Sequence, residues 1–258
     1  MSLDSAFDSP QAKRTHVRKL FATIADRYDL ITRILSYGQD AKWKATLVSI
    51  AGVRPGERAL DLASGTGDLA FATAARGART VGLDITHRML ELARRRSSRA
   101  SAGPAASGVE FITGDMTQLP FRSAAFDIVT TGYGLRNVPD LDAAIDEIAR
   151  VLRPGGRLLS LDFNKPDNAI VRSAYLTYLG ITGAMLGWIL HRDPDTYRYI
   201  PESIKRYPGA RGVAERLAAR RFDRVTVIPC LFGLMSIHVA QRSRASAASA
   251  AAGVERLA

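Results

Sequence analysis

Apolar residues recur at helical spacing over 15–35, with Val17, Leu20, Phe21 and Ile24 on one face, which predicts an amphipathic helix. A second helix is predicted over 42–51, stopped by the turn-forming Val53-Arg54-Pro55-Gly56. From Arg58 the pattern changes. Short apolar runs at 58–62, 80–85, 109–113, 126–131 and 157–162 read as strands, and helical patterns at 68–75, 87–96 and 141–152 fall between them. The last of these helices has a clear stripe at Leu141, Ile145, Ile148 and Leu152. Strands alternating with helices of this length imply a parallel sheet covered on both faces.

The rhythm breaks after Asn164. About fifty residues follow that read as mostly helical, and then two strands, 222–230 and 235–241, joined by Leu231-Phe232-Gly233-Leu234. A connection that short suits an antiparallel hairpin and not a helical crossover. The expected fold is therefore α/β: a Rossmann-like sheet of seven strands, mostly parallel with a C-terminal antiparallel hairpin, helices on both faces, and a helical insertion before the last two strands. The domain reading is one unit over 15–242, with a helical cap at 15–52 and the insertion at 165–215. Residues 1–14 are expected to be disordered, 97–108 to form a flexible loop and 243–258 a flexible tail.

Within the insertion, 173–190 carries 18 residues without a charge, the lower limit for a membrane span. Glycines, tyrosines and hydroxyl residues dilute it, and it connects strands of one sheet, so the segment reads as a buried or pocket-lining helix pair. The lone Cys230 excludes an internal disulfide and a cysteine metal cluster, and points to a reducing compartment. The first thirty residues lack a signal-type apolar core, which implies a cytoplasmic protein. The formal charge of +11 is carried by 36 basic residues, thirty of them arginine. They are scattered without interleaved aromatics, so nucleic acid is not expected as a partner; an anionic membrane surface suits them better.

Chemistry concentrates in Leu60-Asp61-Leu62-Ala63-Ser64-Gly65-Thr66-Gly67-Asp68. Glycines at 65 and 67 allow a strand to turn sharply into a helix and a ligand to touch bare backbone. Asp61 and Asp68 flank the loop, and carboxylates repel a pyrophosphate but attract a cationic nucleoside. Asp84 ends the second strand, 19 positions after Gly65, where an acid can accept both ribose hydroxyls. Asp115-Met116 follow the third strand, suited to an exocyclic amine and a ring face. Gly132 follows the fourth. Singly, Asp84 or Asp115 reads equally well as a helix cap; in order, the four tips define a nucleoside site.

These residues resemble a class I S-adenosylmethionine-dependent methyltransferase. Phe21 to Lys44, Tyr133-Gly134-Leu135-Arg136-Asn137-Val138 and Tyr197-Arg198-Tyr199-Ile200-Pro201 narrow the resemblance to the ubiquinone/menaquinone biosynthesis C-methyltransferases, over roughly 16–241. That resemblance implies S-adenosylmethionine as cofactor, with contacts on Thr66, Asp84, Asp115, Met116 and Gly132, and implies methylation of a ring carbon of a lipophilic prenylated quinol, naphthoquinol or benzoquinol. Two positions depart from the family pattern: Gly132 where serine is common, and Thr32 where asparagine is usual. Cofactor candidates are thus Asp61, Gly65, Thr66, Gly67, Asp84, Asp115, Met116 and Gly132. Tyr197, Asp195 and His191 are candidate proton acceptors, beside Asp193, and Arg136 is a candidate phenolate stabiliser. Each has a plainer reading: His191 as a surface residue, the aspartates as turn formers beside Pro194, and Arg136 as a structural hydrogen-bonding residue. No metal is expected. The apolar insertion suggests a peripheral enzyme that docks transiently on the membrane holding its substrate. The competing readings are a methyltransferase of soluble O or N acceptors, a nucleic-acid-binding module, and an NAD oxidoreductase, the last disfavoured by Asp61.

Overall fold

A computed structural model describes residues 4–99 and 108–244. Its centre is a seven-stranded sheet in the order β3-β2-β1-β4-β5-β7-β6. The strands are β1 (Arg58–Leu62), β2 (Arg79–Asp84), β3 (Val109–Thr113), β4 (Phe126–Gly132), β5 (Leu152–Phe163), β6 (Phe222–Cys230) and β7 (Met235–Arg242). The first five are parallel; β7 runs antiparallel to β5, and β6 antiparallel to β7. The strand order reverses between β1 and β4, and a crevice forms outside the carboxyl ends of strands at such a point.

The helices are α1 (Pro10–Ile24), α2 (Tyr28–Leu35), α3 (Asp40–Ala51), α4 (Asp68–Ala74), α5 (His87–Arg99), α6 (Leu141–Val151), α7 (Ala169–His191), α8 (Tyr199–Arg206) and α9 (Gly209–Ala218). Alternating strand positions divide the core between the sheet's two faces. Leu60 and Leu158 pack with Ile145, Ile148, Val213 and Leu217 on one. Ala59 and Leu159 pack with Trp43, Leu47 and Leu179 on the other. Asp140 caps α6 by accepting from the amides of Asp142 and Ala143, which explains why its stripe was readable. β5 begins five residues earlier than expected, because a register shift against β4 absorbs Pro154-Gly155-Gly156 within the strand.

Three expectations need correction. The stretch before residue 15 is ordered wherever it is described: a 3-10 turn spans Asp4–Phe7, and α1 opens at Pro10 with Ser9 capping the amide of Ala12. Phe7 is held there, stacked on Tyr199 at 5.7 Å and covered by the Arg206 guanidinium at 4.1 Å. The predicted helix over 15–35 is two helices, broken by a 3-10 turn at Ala25–Arg27. The apolar segment 173–190 lines a pocket, through Tyr175, Tyr178 and Leu179, but it is not a helix pair. It lies within α7, one continuous helix of 23 residues, long and apolar enough by length and composition to cross a membrane. Only the stripe Tyr175, Leu179, Gly183, Leu186 and Gly187 is buried. Gly183 and Gly187 act as contact surface and not as breaks: a Cβ on Gly187 would stand 2.4 Å from the carbonyl oxygen of Asp193. Most of the predicted loop 97–108 and the tail from 245 onward lie outside the described residues.

Candidate active site

The loop after β1 turns through left-handed backbone at Ala63, Gly65 and Gly67, with φ of 50°, 55° and 92°. It docks on the tip of β2. Ser64 N donates to the Leu83 carbonyl at 3.0 Å, and Gly65 N donates to Asp84 Oδ2 at 2.9 Å. The other Asp84 oxygen accepts from Thr86 N at 2.7 Å. Burial raises the Asp84 carboxyl above the usual range, partly offset by these two amide bonds. A cleft of about 650 Å³ lies over these tips, lined by Gly65, Asp84, Asp115, Met116 and Gly132 and roofed by Arg14, Val17 and Phe21 of α1.

Five of the eight cofactor candidates thus share one cleft. Asp61 and Thr66 line a smaller adjoining hollow of about 300 Å³, together with Gly65 and Gly132. Gly67 lines neither; its lack of a side chain serves packing, since a Cβ there would meet Phe71 at 2.7 Å and Phe111 at 3.1 Å. The idea of bare carboxylates flanking the loop also needs correction. Asp61 is buried, accepts from Ser64 Oγ and Thr130 Oγ1 at 2.8 Å each, and is pushed up to about 7 by that burial. Asp68 is neutralised by Lys44 at 2.9 Å and Arg96 at 2.5 Å. Thr66 donates to Asp29 of α2 at 2.7 Å, and Asp115 pairs with Arg14 of α1 at 2.8 Å. The helical cap therefore grips the acidic tips directly. At Gly132 a Cβ would meet only Leu69, at 3.3 Å, so the family's serine has nearly enough room there.

A second cleft, about 780 Å³ and mainly apolar, opens beside the first between the sheet, α1, α2 and α7. Its walls include Ile31, Leu35, Trp43, Phe163, Leu179 and Met235. Arg136 lies in its wall at 6% exposure. Its guanidinium sits 4.7 Å over the Phe163 ring, donates to Asn137 Oδ1 at 2.9 Å and has Nε 3.4 Å from the fully buried Asp162. Tyr197 also lines this cleft and is only 1% exposed; its hydroxyl meets His191 Nε2 at 2.9 Å. Burial pushes the Tyr197 phenol up to about 12 and holds the His191 imidazole below its ordinary value. Asp195 does not join them. It is 65% exposed, pairs with Arg198 at 3.0 Å and faces water, because the turn around Pro194 points it away from the cleft. Asp193 likewise serves the turn, accepting from Asp195 N and Thr196 Oγ1.

Several site residues were not singled out from sequence. Phe21, Tyr28 and Tyr133 line both clefts and form the seam between them. The Tyr133 hydroxyl donates to Asp40 Oδ1 at 2.6 Å. Asp40 in turn pairs with Lys44 at 2.7 Å, so the start of α3 belongs to the site. The available signal for Tyr133 was its place between Gly132 and Gly134 at the end of a strand, where a bulky residue must be aimed by the backbone.

Two acidic tips, a methionine wall and a glycine-lined floor match a nucleoside that carries a ribose diol, an exocyclic amine and a cationic tail; the nearby cations Lys44, Arg96 and Arg14 are already paired with Asp68 and Asp115. The fold agrees. The structure superposes on a SAM-dependent methyltransferase from Thermotoga maritima with a TM-score of 0.61 and 15% identity, covering 87% of this chain and 99% of that one. It superposes on a Haemonchus contortus phosphoethanolamine N-methyltransferase, solved with S-adenosyl-L-methionine, with a TM-score of 0.57 and 15% identity, covering 78% and 52%. The protein is a class I S-adenosylmethionine-dependent methyltransferase, with S-adenosylmethionine as its cofactor. Within that class, residues 9–242 match the ubiE/COQ5 methyltransferase family, and the chain belongs to it. It is 39% identical over 239 residues to the ubiquinone/menaquinone biosynthesis C-methyltransferase UbiE of Pseudomonas putida, covering 90% of each chain. It is 37% identical over 235 residues to that of Ectopseudomonas mendocina, covering 90% and 91%.

Proposed function

We propose that this enzyme methylates a ring carbon of a prenylated quinol, demethylmenaquinol or a 2-polyprenyl-6-methoxy-benzoquinol, in quinone biosynthesis. The observation that carries the reading is the mainly apolar cleft that opens onto the strand-tip cleft and, among the described residues, holds a single guanidinium, Arg136. A soluble catechol has no use for so large an apolar wall, whereas an isoprenoid tail fills one. The names of the relatives agree with this acceptor.

In this reading Asp84 and Asp115 hold the ribose and the adenine amine, Met116 packs on the base, and Gly65, Thr66 and Gly132 approach the tail of the cofactor. Asp61 acts from behind, fixing the loop through Ser64 and the fourth strand through Thr130. When bound, S-adenosylmethionine supplies an electrophilic methyl group. The chain's own residues hold the quinol ring at the seam and make it nucleophilic. Arg136 contributes to the second of these. It is always charged, desolvated, and backed by Asp162, so it favours a phenolate over a phenol. Proton acceptance falls to one of two phenol pairs facing the cleft, Tyr197 with His191 or Tyr133 with Asp40.

The mouth of the apolar cleft supports docking on a membrane surface. Ile181 and Trp188 of α7 are 66% and 67% exposed, and Leu30, Ile34 and Tyr37 from α2 and its following turn are exposed too. Tyr37 stacks on Tyr178 of α7 at 5.9 Å, joining the two apolar surfaces at the rim. Arg33 and Arg192 are exposed on the same elements, where anionic headgroups would meet them. The test is product analysis with methyl-labelled S-adenosylmethionine and three acceptors: demethylmenaquinol, a prenylated benzoquinol and a soluble catechol. Label on a ring carbon of either prenylated quinol is expected. Label only on catechol oxygen would replace this reading with that of a soluble O-methyltransferase.

A further inference from the structure

A ring carbon that receives a group from a ligand in the strand-tip cleft, while its substituent lies in the apolar cleft, must sit where the two clefts meet. Among the described residues, three side chains line both: Phe21, Tyr28 and Tyr133. Phe21 has no exchangeable proton. Of the two tyrosines, Tyr133 has its hydroxyl on a carboxylate, at 2.6 Å from Asp40 Oδ1, a length expected of a charge-assisted bond. Asp40 Oδ2 pairs with Lys44 at 2.7 Å, Lys44 reaches Asp68 Oδ2 at 2.9 Å, and Asp68 Oδ1 meets Arg96 at 2.5 Å. A row of charges therefore runs from the seam to the surface. Lys44 also lies 5.7 Å from the centre of the Tyr133 ring.

The backbone at Tyr133 adds a second observation. Its φ is 61°, the left-handed region, which a bulky residue rarely occupies unless its surroundings dictate it. Here they do: Tyr133 N donates to the Leu161 carbonyl at 2.7 Å, and its own carbonyl accepts from Asn137 Nδ2 at 2.7 Å. A glycine at this position would have relaxed the turn without placing any side chain at the seam. Strain retained at such a position is a mark of function.

We propose that Tyr133, acting through Asp40, is the group that takes the proton from the quinol hydroxyl; this rests on the quinol reading above. The substrate O–H bond breaks toward the Tyr133 oxygen as the Tyr133 proton passes along its hydrogen bond to Asp40. The products of that step are a phenolate and a neutral Asp40 carboxyl. Lys44 stands beside Asp40 at 2.7 Å throughout, and Arg136 holds the phenolate afterwards. Once the ring carbon bears its methyl group, the hydrogen on that carbon leaves to water as a proton. The proton on Asp40 then returns through Tyr133 to the quinol oxygen. One proton is released per turnover, and the dyad ends as it began.

Burial keeps the Tyr133 phenol protonated well above its ordinary value, with Asp40, Tyr28 and Asp162 adding to the effect. A lone Tyr133 is thus no base, and the carboxylate partner is needed. The ionisable groups facing the pair are Tyr28 from α2, Lys44 from α3, Asp68 from α4 and Asp162 from β5.

The test compares wild type with Tyr133→Phe and Asp40→Asn in single-turnover assays on the prenylated quinol from pH 6 to 9, with calorimetric titration of S-adenosylhomocysteine. At pH 7 the Tyr133→Phe rate is expected to fall about 100-fold, the usual scale for losing a general base. It should then climb about tenfold per pH unit as the quinol, whose phenol titrates near 10, ionises unaided; wild type should change far less. Cofactor affinity should stay within about threefold. A Tyr133→Phe enzyme within threefold of wild type, or one that is slow but flat with pH, overturns the proposal. If Tyr133→Phe fails to fold, Asp40→Asn, nearly identical in shape, decides the matter by the same two readouts. A wild type that turns over no quinol overturns the functional reading, and this proposal with it; quinol turnover with unaffected variants overturns this proposal alone.

Discussion

The strand-tip cleft and the apolar cleft lie side by side yet are built from different material. The first is walled by backbone that the sheet holds in register: the loop after β1 is tied to β2 through Ser64 and Gly65, and each lining acid sits at a strand end or just past one. The second is walled by side chains from helices that pack on one another. Ile24, Ile31 and Leu35 of the cap meet Leu186 of α7 and Tyr197 in a cluster of their own, apart from the sheet's core. A rigid frame suits a cofactor that is the same across a whole class of enzymes. A repackable helical wall suits an acceptor that differs between families. The two are joined by the cap's polar contacts, Arg14 with Asp115 and Asp29 with Thr66, so the helices that wall the acceptor cleft also roof the cofactor.

This contrast predicts that lesions in one cleft leave the other's ligand alone. The largest effect belongs to Asp84→Ala. It removes the acceptor for the Gly65 and Thr86 amides and the partner for the ribose. Charge-assisted hydrogen bonds contribute about 1.5–3 kcal/mol each, so S-adenosylhomocysteine affinity should fall by about 100-fold, measured by calorimetry. Binding of a prenylated quinol to the apolar cleft, followed by quenching of Trp43, should persist. Loss of both together would mean that the clefts are one cooperative unit.

The same contrast explains what was legible in the sequence. Gly65, Asp84, Asp115 and Gly132 were readable because each lies at a fixed offset from a strand, and a strand's period of two with its terminating turn is a local signal. The seam was not. Tyr28, Asp40 and Tyr133 are brought together from α2, the start of α3 and the end of β4, and nothing local marks a tyrosine as seam and not core. Asp195 was misplaced for the converse reason: it adjoins Tyr197 in sequence, but the turn at Pro194 separates a buried phenol from an exposed carboxylate. Gly183 and Gly187 of α7 read only as diluting the apolar run because their packing partners, Asp193, Pro194 and Tyr197, follow the helix and fold back on it.

A smaller effect is expected at the rim. Ile181→Asp with Trp188→Asp places two charges on the exposed side of α7, away from its buried stripe. Flotation with anionic vesicles at low salt should drop about tenfold, since each buried apolar side chain contributes about 1.5–3 kcal/mol at most and an interfacial helix buries it only in part. Cofactor affinity and the melting temperature should hold. Unchanged flotation would move the docking surface elsewhere.

The smallest effect is expected at Tyr197→Phe, and it separates the two phenol pairs. Tyr197 packs against Gly183 of α7 and against the cap, and its hydroxyl reaches outward to His191. It does not line the strand-tip cleft, so a phenol there is set back from the seam. Removing its hydroxyl leaves the ring in the wall and strands only a half-exposed imidazole, which water can satisfy. The turnover rate should stay within about threefold of wild type, against the hundredfold loss at Tyr133. Any change should fall on KM, because the ring borders the space for the substituent and not for the reacting carbon. If instead Tyr197→Phe lowers kcat as far as Tyr133→Phe does, the reacting ring lies deeper in the helical wall than the seam. The division of labour between frame and wall would then have to be redrawn, with chemistry on the helices and only the cofactor on the sheet.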